Sequence, residues 1–451
     1  MNDWLDAEHH AERAHEFLTL GDWQRALREI DAALHINPDQ APWHHERGLA
    51  LEALGRHVEA IDCFTRALQL GGEDVRTLIQ LGIARLRSDQ PQAAIEALGR
   101  ANEIDPDAEP GYCYRIEAWA RLDRHDQAET MFYLARQLED RCPRCFDHIA
   151  RSLTARGKLD RAIWCLQQLL ELEPDHPDAL ARLGHAYWQR GQPEQARQYY
   201  VRHLRRHPGD IETMYAIGVL LRETDRLSEA AARFHQILEL QPTHARAHLQ
   251  LGELALMADH LDAAAPHLYR ARECDPKLAG PCLGLARIAF ARRDHDAARR
   301  LARLDLQHPM RTPQQALDLG HLLIELDMPI AAIPLLTSVI EATGAGPIPR
   351  TMRATALLYR GVARLVSGYL DAGIADCRAS LKLDPANVLA AHNLVLAHLA
   401  TGRLKRAAAW LRRAQRLAPF NRRLGLLRRR LRHARLTVLL TRLGLRRPPR
   451  G

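Results

Sequence analysis

The sequence predicts an all-α fold, a right-handed α-α solenoid of about twelve helix-turn-helix repeats of 34 residues. Three observations predict it: an alanine that recurs every 34 residues, a small residue twelve positions before it, and a proline that often follows twelve positions after it. The alanines are Ala26, Ala60, Ala94, Ala128, Ala162, Ala196, Ala230, Ala264, Ala298 and Ala332. A fixed period of this length indicates one supersecondary unit copied in tandem.

The first helix of each repeat carries the column of small residues. Apolar residues at spacings of three and four give this helix one buried face. A small residue on that face lets a second helix approach closely enough for side-chain ridges to enter grooves. The column reads Ala14, Gly48, Gly82, Ile116, Ala150, Gly184, Gly218, Gly252, Ala286 and Gly320.

A tight turn and a second helix complete each repeat. The turn is marked by glycine at a helix C-cap, as at Gly21, Gly55, Gly157 and Gly191. The second helix carries the recurrent alanine and, four residues later, a larger apolar residue such as Phe64 or Tyr200. Because proline cannot continue a helix, it closes the unit. These prolines are Pro38, Pro106, Pro174, Pro208, Pro242 and Pro276.

The combined pattern of Leu-Gly, Tyr, Ala, Phe or Tyr, and Pro resembles that of the tetratricopeptide repeat family. Its fullest form is Leu183, Gly184, Tyr187, Ala196, Tyr200 and Pro208. The resemblance implies a stack of helix pairs whose inner groove is built mainly from the first helices. It also implies that a peptide or helix of another protein binds in that groove.

The repeat register breaks once. The position equivalent to Ala332 is Gly373, 41 residues later, and Ala407 follows after a further 34. The seven extra residues lie around 344–349, a glycine- and proline-rich stretch that reads as either a surface loop or a hinge. The predicted segments are an array of about ten repeats over 5–346, two further repeats over 350–420, and an Arg-rich capping or amphipathic helix and tail over 421–451.

Because the repeats occupy roughly residues 5–420, we expect no appended catalytic domain. The N-terminus is polar and acidic, unlike a signal peptide, and no run of 18 apolar residues predicts a membrane span. No metalloprotease motif, nucleophile elbow or phosphate-binding glycine loop occurs. We therefore expect a non-enzymatic protein without cofactors, in the cytoplasm or peripheral at a membrane.

Exposed aromatic and arginine side chains on the first helices are the residues expected to anchor a partner in the groove. The alternative is that they are scattered surface residues, or that they pack against the next helix. In the middle of the array the candidates are Arg151, His185, Trp188, Tyr215, Arg222, Glu223, Phe290 and His321.

Cys142 and Cys145 form the one motif with reactive potential. Two thiolates at this spacing can share a tetrahedral metal ion or form a redox disulfide. No second Cys-x-x-Cys exists, although His148, Cys113 and Cys165 are near enough along the chain to complete a site. Free, buried thiols are the commoner state in a protein without a signal peptide. We therefore expect no metal, with Cys142 and Cys145 as the candidate ligands if one binds.

Positive charge is concentrated at the C-terminal end. The chain carries 63 Lys and Arg against 55 Asp and Glu, a net charge of +8, yet after Asp384 it has 17 basic residues and no acidic one. Leu424, Leu427, Leu431, Ala434 and Val438 recur there at helical spacing. This segment reads as a cap on the last repeat, or as a basic element for an anionic membrane or nucleic acid. Its basic residues are Arg428, Arg429, Arg430, Arg432 and Arg435.

Two functions of different classes follow from these patterns. The first is a non-enzymatic adaptor or scaffold that holds a segment of one or more partner proteins in the groove. The alternative is a peripheral membrane or nucleic-acid tether that acts through the basic C-terminal helix, with the repeats recruiting other proteins.

Overall fold

The computed structural model describes residues 2–308, 312–341 and 348–442, and within these ranges the fold is all α-helical. Helices α1 to α13 are Asn2–Thr19, Trp23–Ile36, Ala41–Ala53, His57–Gly71, Val75–Arg87, Pro91–Ile104, Glu109–Arg121, His125–Leu138, Pro143–Ala155, Leu159–Leu172, Ala179–Gln189, Pro193–Arg206 and Ile211–Glu223. Helices α14 to α25 are Leu227–Leu240, Ala245–Met257, Leu261–Cys274, Pro281–Ala291, His295–Leu306, Pro313–Glu325, Pro329–Glu341, Arg350–Val366, Leu370–Leu383, Val388–Ala400, Leu404–Leu417 and Arg422–Arg442. No helix in the described ranges is both long and apolar enough to cross a bilayer.

The chain divides into two compact units, unit 1 over Met1–Asp225 and unit 2 over Arg226–Gly451. Unit 1 contains six antiparallel helix pairs, α1/α2 through α11/α12, followed by α13. Unit 2 begins with α14 and continues with five pairs, α15/α16 through α23/α24, before α25. Within each unit, helices that are consecutive in the chain pack against each other, which confirms the predicted α-α solenoid architecture.

The odd-numbered helices are the first helices of the repeats. In unit 1, α1, α3, α5, α7 and α9 contact one another in succession. Side-chain bonds from Arg182 to Asp147 and from Trp188 to Glu223 then link α11 to α9 and to α13. In unit 2, α19 contacts both α17 and α21. The first helices therefore form one continuous inner layer in each unit, while the even-numbered helices lie outside it.

In five of the repeats, the glycine of the small-residue column packs directly on the large apolar residue of the second helix. A Cβ atom added at Gly184 would lie 2.6 Å from the ring of Tyr200, and one at Gly82 would lie 2.5 Å from Leu98. The two residues of each pair are sixteen positions apart, one on each helix. The further pairs of this type are Gly48 with Phe64, Gly252 with Leu268, and Gly320 with Leu336. The alanine column adds the second close contact, since every recurrent alanine is fully buried.

The turn between the two helices of a repeat always places one residue in the left-handed region. Glycine takes this conformation most easily, and it does so at Gly21, Gly55, Gly157, Gly191, Gly368 and Gly402. Aspartate occupies the same position in five repeats and arginine in one, and these residues are Asp89, Asp123, Asp225, Asp259, Asp327 and Arg293. Aspartate tolerates the left-handed region better than most residues. The turn therefore keeps its geometry in the repeats that have aspartate instead of glycine at this position.

A buried ion-pair network joins the helices that follow the insertion. The Asp376 carboxylate on α22 accepts hydrogen bonds from the Arg360 guanidinium at 2.8 and 3.0 Å and from Arg364 at 2.8 Å. Arg360 also donates to the Thr337 hydroxyl on α20 at 3.0 Å. These contacts connect α20, α21 and α22 within unit 2.

The break in the repeat register lies between α20 and α21. Residues 344–347 of the predicted loop fall outside the described ranges, and the division of the array at this point stays a prediction. The two repeats after the break keep the normal helix pairing, since α21 packs on α22 and α23 on α24. The recurrent position is buried in both, at Gly373 and Ala407.

Candidate functional site

All eight residues predicted to line the groove lie on odd-numbered helices, in the inner layer of their units. Unit 1 holds six of them, on α9, α11 and α13, and unit 2 holds two, on α17 and α19. Arg151, His185 and Glu223 are exposed. The other five are half-buried, and these are Trp188, Tyr215, Arg222, Phe290 and His321.

Trp188 connects two inner helices of unit 1. Its indole Nε1 donates to Glu223 Oε2 at 2.7 Å, which joins α11 to α13. The His185 ring contacts the Trp188 ring edge-to-face at a centroid distance of 6.1 Å. The structure therefore brings three predicted residues into one contiguous, partly solvated surface with an aromatic centre.

Arg151 belongs to a second group on the same layer. It lies 3.1 Å from the Asp147 carboxylate, which also binds Arg182 of α11. The neighbouring arginines hold the pKa of Asp147 below its usual value, against the effect of its burial. This carboxylate is consequently charged at neutral pH, and it fixes both guanidinium groups at the inner surface.

A cleft of about 310 Å³ opens beside this group, lined by residues of α5, α7 and α9 and by the C-terminal end of α10 with the loop that follows it. The Arg144 guanidinium lies 5.5 Å from the centre of the Tyr114 ring and donates to the tyrosine hydroxyl at 3.1 Å. The His148 ring lies 5.8 Å from Tyr114, and its Nδ1 is 3.5 Å from the Glu117 carboxylate. An aromatic ring, a cation and polar groups thus converge here. Sequence reasoning selected none of these residues for the groove, and it considered His148 only as a possible metal ligand, which does not belong to the four residues brought together at the cysteine motif.

Unit 2 has a cleft of about 320 Å³ that contains both of its predicted residues. Phe290 and His321 line it together with Arg287 and Asp318. His321 stacks on Tyr359 of α21 with ring centroids 4.5 Å apart. Burial raises the pKa of Asp318. The inner layer of unit 2 therefore also combines aromatic and charged side chains in a concave site.

The cysteine motif lies at the start of α9, next to the first turn of α7. Cys142 is the N-cap of α9, and its Sγ accepts a hydrogen bond from the Cys145 amide at 3.4 Å. The Cys145 thiol donates to Glu109 Oε1 at 3.0 Å. One ligand atom from each of these three residues and from Cys113 lies within 4.8 Å of all the others. The motif is therefore half of a four-residue group, which we name the cysteine cluster.

The cysteine cluster is closed to solvent. Glu109 is 7 % exposed, Cys145 1 %, Cys142 2 % and Cys113 not at all. Burial, together with the neighbouring Cys142, raises the pKa of Glu109 to about 7. Interaction with the Cys113 thiol, together with the hydrogen bond from the Cys145 amide, holds the pKa of Cys142 below its ordinary value. Cys165, which the sequence offered as a further ligand, is buried in α10 and is not part of the cluster.

Helix α25 covers the end of the last repeat with one face. Leu424, Leu427 and Leu431 are buried in the hydrophobic core formed with α21 to α24, and Ala434 is half-buried. The side chain of Val438 is not among those described. The five predicted basic residues all lie on the solvent side of α25, and they are Arg428, Arg429, Arg430, Arg432 and Arg435.

Comparison with known families supports the repeat assignment. Models described as tetratricopeptide repeat match residues 11–75, 153–217, 215–279 and 360–422, which together are more than half of the chain.

Curated relatives match only in part. The CTR9 homolog of Arabidopsis thaliana is 23 % identical over an alignment of 222 positions that covers 40 % of this chain and 20 % of that protein. DnaJ homolog subfamily C member 7 of Mus musculus is 24 % identical over an alignment of 215 positions that covers 45 % of this chain and 44 % of that protein. The chain thus spans less than half the length of these relatives. Among solved structures, the APC/C hetero-tetramer Cut9-Hcn1 covers 94 % of this chain and 96 % of its own, with 14 % identity and a TM-score of 0.47.

Proposed function

Because the chain belongs to the tetratricopeptide repeat family, whose scaffold is typical of protein–protein interaction, we propose that it is a non-enzymatic adaptor. Its partner is an extended or helical segment of another protein, held along the inner layer of first helices. The observation that carries the proposal is the surface formed by His185, Trp188 and Glu223 on α11 and α13. It joins an aromatic anchor to charged groups on adjacent repeats.

The chemistry of this surface suits a peptide ligand. Trp188 offers a large, half-buried apolar area, and half-buried tryptophan and arginine are the residues that most often dominate binding energy at protein interfaces. Arg151 and Arg182 are already oriented by Asp147, so a ligand carboxylate meets pre-organised donors. The cleft lined by Tyr114 and Arg144 extends the same layer toward the N-terminus.

We predict that Trp188→Ala combined with Arg222→Ala weakens peptide binding at least about thirtyfold, which corresponds to the loss of one interface hot spot. Peptides are first selected on the unaltered protein from a displayed random library. Their dissociation constants are then measured by fluorescence polarisation with each variant.

The matched control is Trp164→Ala with Arg202→Ala, because both residues lie on the outer helices α10 and α12 and are exposed. Circular dichroism should show the same helicity in both double variants. Unchanged affinity in the inner-layer variant, or an equal loss in the control, contradicts the assignment of the groove.

A second candidate function is contact with an anionic membrane through α25. The leucines that cap the last repeat are buried, yet Leu426 and Leu436 remain exposed beside the five basic residues. A helix face that combines arginine with exposed leucine is typical of interfacial binding. Helix α25 can therefore cover the last repeat with its buried leucines and still present its basic face to a lipid surface.

The test replaces Arg428, Arg429, Arg430, Arg432 and Arg435 by Gln. This change keeps the buried leucines in place, unlike truncation of the helix. We predict that it abolishes sedimentation with phosphatidylserine vesicles at low salt, while five Arg→Lys replacements retain it, because the attraction depends on charge. Equal vesicle binding by the Gln variant, or stronger binding of the unaltered protein to duplex DNA than to vesicles, refutes the membrane assignment.

A further inference from the structure

We infer that Glu109, Cys113, Cys142 and Cys145 form a structural zinc site that clamps α7 to α9. Their ligand atoms lie within 4.8 Å of one another, although the residues come from two repeats. The inference concerns the architecture of unit 1, and it holds whatever partner the groove binds.

The geometry of the donors fits a tetrahedral ion. Zinc takes four ligands from cysteine, histidine and acidic side chains, with Zn–S bonds of about 2.3 Å, so tetrahedral sulfurs are separated by roughly 3.8 Å. The observed separations reach at most 4.8 Å, and small side-chain rotations are enough to close them. Three sulfurs and one carboxylate make a set in which soft thiolates predominate, which favours zinc over magnesium or calcium.

The backbone positions the four donors for one shared ion. Glu109 and Cys113 are four residues apart in the first turns of α7, so they lie on the same face of that helix. Cys142 and Cys145 are the N-cap and third residue of α9, and the amide of Cys145 points at the Cys142 sulfur. Both pairs are held by the ends of rigid, adjacent helices, and α7 packs on α9.

Burial supplies an independent argument. The cluster consists of three thiols and one carboxyl group, and each residue is at least nine-tenths buried. Buried donors of this kind, supplied entirely by the protein, are those of structural zinc sites. The positive end of the α9 dipole faces the same point and stabilises anionic sulfur.

The role of the ion is structural because the protein supplies all four ligands and the site is closed to solvent. Catalytic zinc keeps one position for water or substrate. The clamp also fixes two residues that line the neighbouring cleft. Tyr114 follows Cys113 directly, and Arg144 lies between Cys142 and Cys145. Zinc binding therefore fixes the relative position of two inner helices in unit 1.

The deciding measurement is the metal content of the full chain, purified without chelators or added metals. We expect about one zinc per chain by inductively coupled plasma mass spectrometry. Exchange with Co²⁺ should give the sulfur-to-cobalt charge-transfer band of thiolate ligation and the intense visible bands of a tetrahedral site. Removal of zinc by a chelator should lower the thermal midpoint of the unaltered chain.

Variants test the individual ligands. Cys113→Ser should remove the bound zinc, but it changes a fully buried residue and can also disturb folding. Glu109→Gln keeps the shape and an oxygen that can accept from Cys145, so it should fold and yet bind Co²⁺ more than about tenfold more weakly. The matched control is Cys165→Ala, another buried cysteine of unit 1, which should retain zinc and the cobalt spectrum.

Three results would overturn the zinc site. The first is less than a tenth of a zinc per chain, together with a cobalt spectrum that lacks the charge-transfer band. The second is a disulfide between Cys142 and Cys145 in freshly isolated protein, found by mass spectrometry after thiol blocking, which would assign a redox function to the motif. The third is unchanged cobalt affinity in Glu109→Gln.

Discussion

Gly184→Val should lower the free energy of unfolding of unit 1 by about 3 kcal/mol, at the upper end of the range for overpacked cores. The new Cβ alone would lie 2.6 Å from both Cδ1 and Cε1 of Tyr200, before either valine methyl group is placed. Tyr200 is buried, so its ring has no room to retreat. The helix pair α11/α12 must therefore move apart or lose its packing.

Urea denaturation followed by circular dichroism measures this loss, and hydrogen exchange should locate it in α11 and α12. Gly99→Val is the matched control, since Gly99 is also helical and an added Cβ there meets no atom within 4 Å. Its effect should stay within about 0.5 kcal/mol, because only helix propensity changes. Similar denaturation midpoints for the two variants would show that the glycine column does not set the interhelical distance.

Asp376→Ala should lower the stability of unit 2 by about 3–5 kcal/mol, the usual cost of leaving buried cations without their partner. The carboxylate accepts three hydrogen bonds from Arg360 and Arg364. Arg360 is only 12 % exposed, so water cannot replace the lost acceptor well. The damage should concentrate at α20, α21 and α22, which this network connects.

Asp371→Ala is the control for the second prediction. Asp371 lies on the same helix and is 3.2 Å from Arg403, but this pair is largely exposed. An exposed ion pair contributes about 0–1 kcal/mol, so its removal should shift the thermal midpoint little. If the two variants lose equal stability, burial is not the source of the strength of the Asp376 network.

The repeat architecture was predictable because its signals are local and are copied many times. The alanine column is buried throughout, and the prolines follow the second helices as expected. The turns were harder to predict from glycine alone, because Asp89 and Asp123 adopt the same left-handed conformation in place of glycine. Reading that column by position in the register, instead of by residue type, would have predicted the turn in each repeat.

The candidate sites were predictable only in part because they combine residues from adjacent repeats. Sequence reasoning found Cys142 and Cys145, which are neighbours in the chain, but did not select Glu109. Yet Glu109 and Cys113 stand at the start of the preceding first helix, beside the cysteine motif in the inner layer. Comparing the starts of two successive first helices would have brought these four residues together. The depth to which Trp188 is buried, in contrast, depends on packing that no single repeat encodes.

The sixteen-residue spacing between each glycine and its bulky partner has a consequence for how this chain can be recombined. Both residues of such a pair, for example Gly48 and Phe64, belong to one repeat, so removing or duplicating a whole 34-residue block keeps the sixteen-residue pairs of the remaining repeats intact. A cut made between the two helices of a repeat separates the glycine from its bulky partner and exposes both residues. Genetic exchange within the array should therefore be tolerated at the loops between repeats and rejected at the turns inside them.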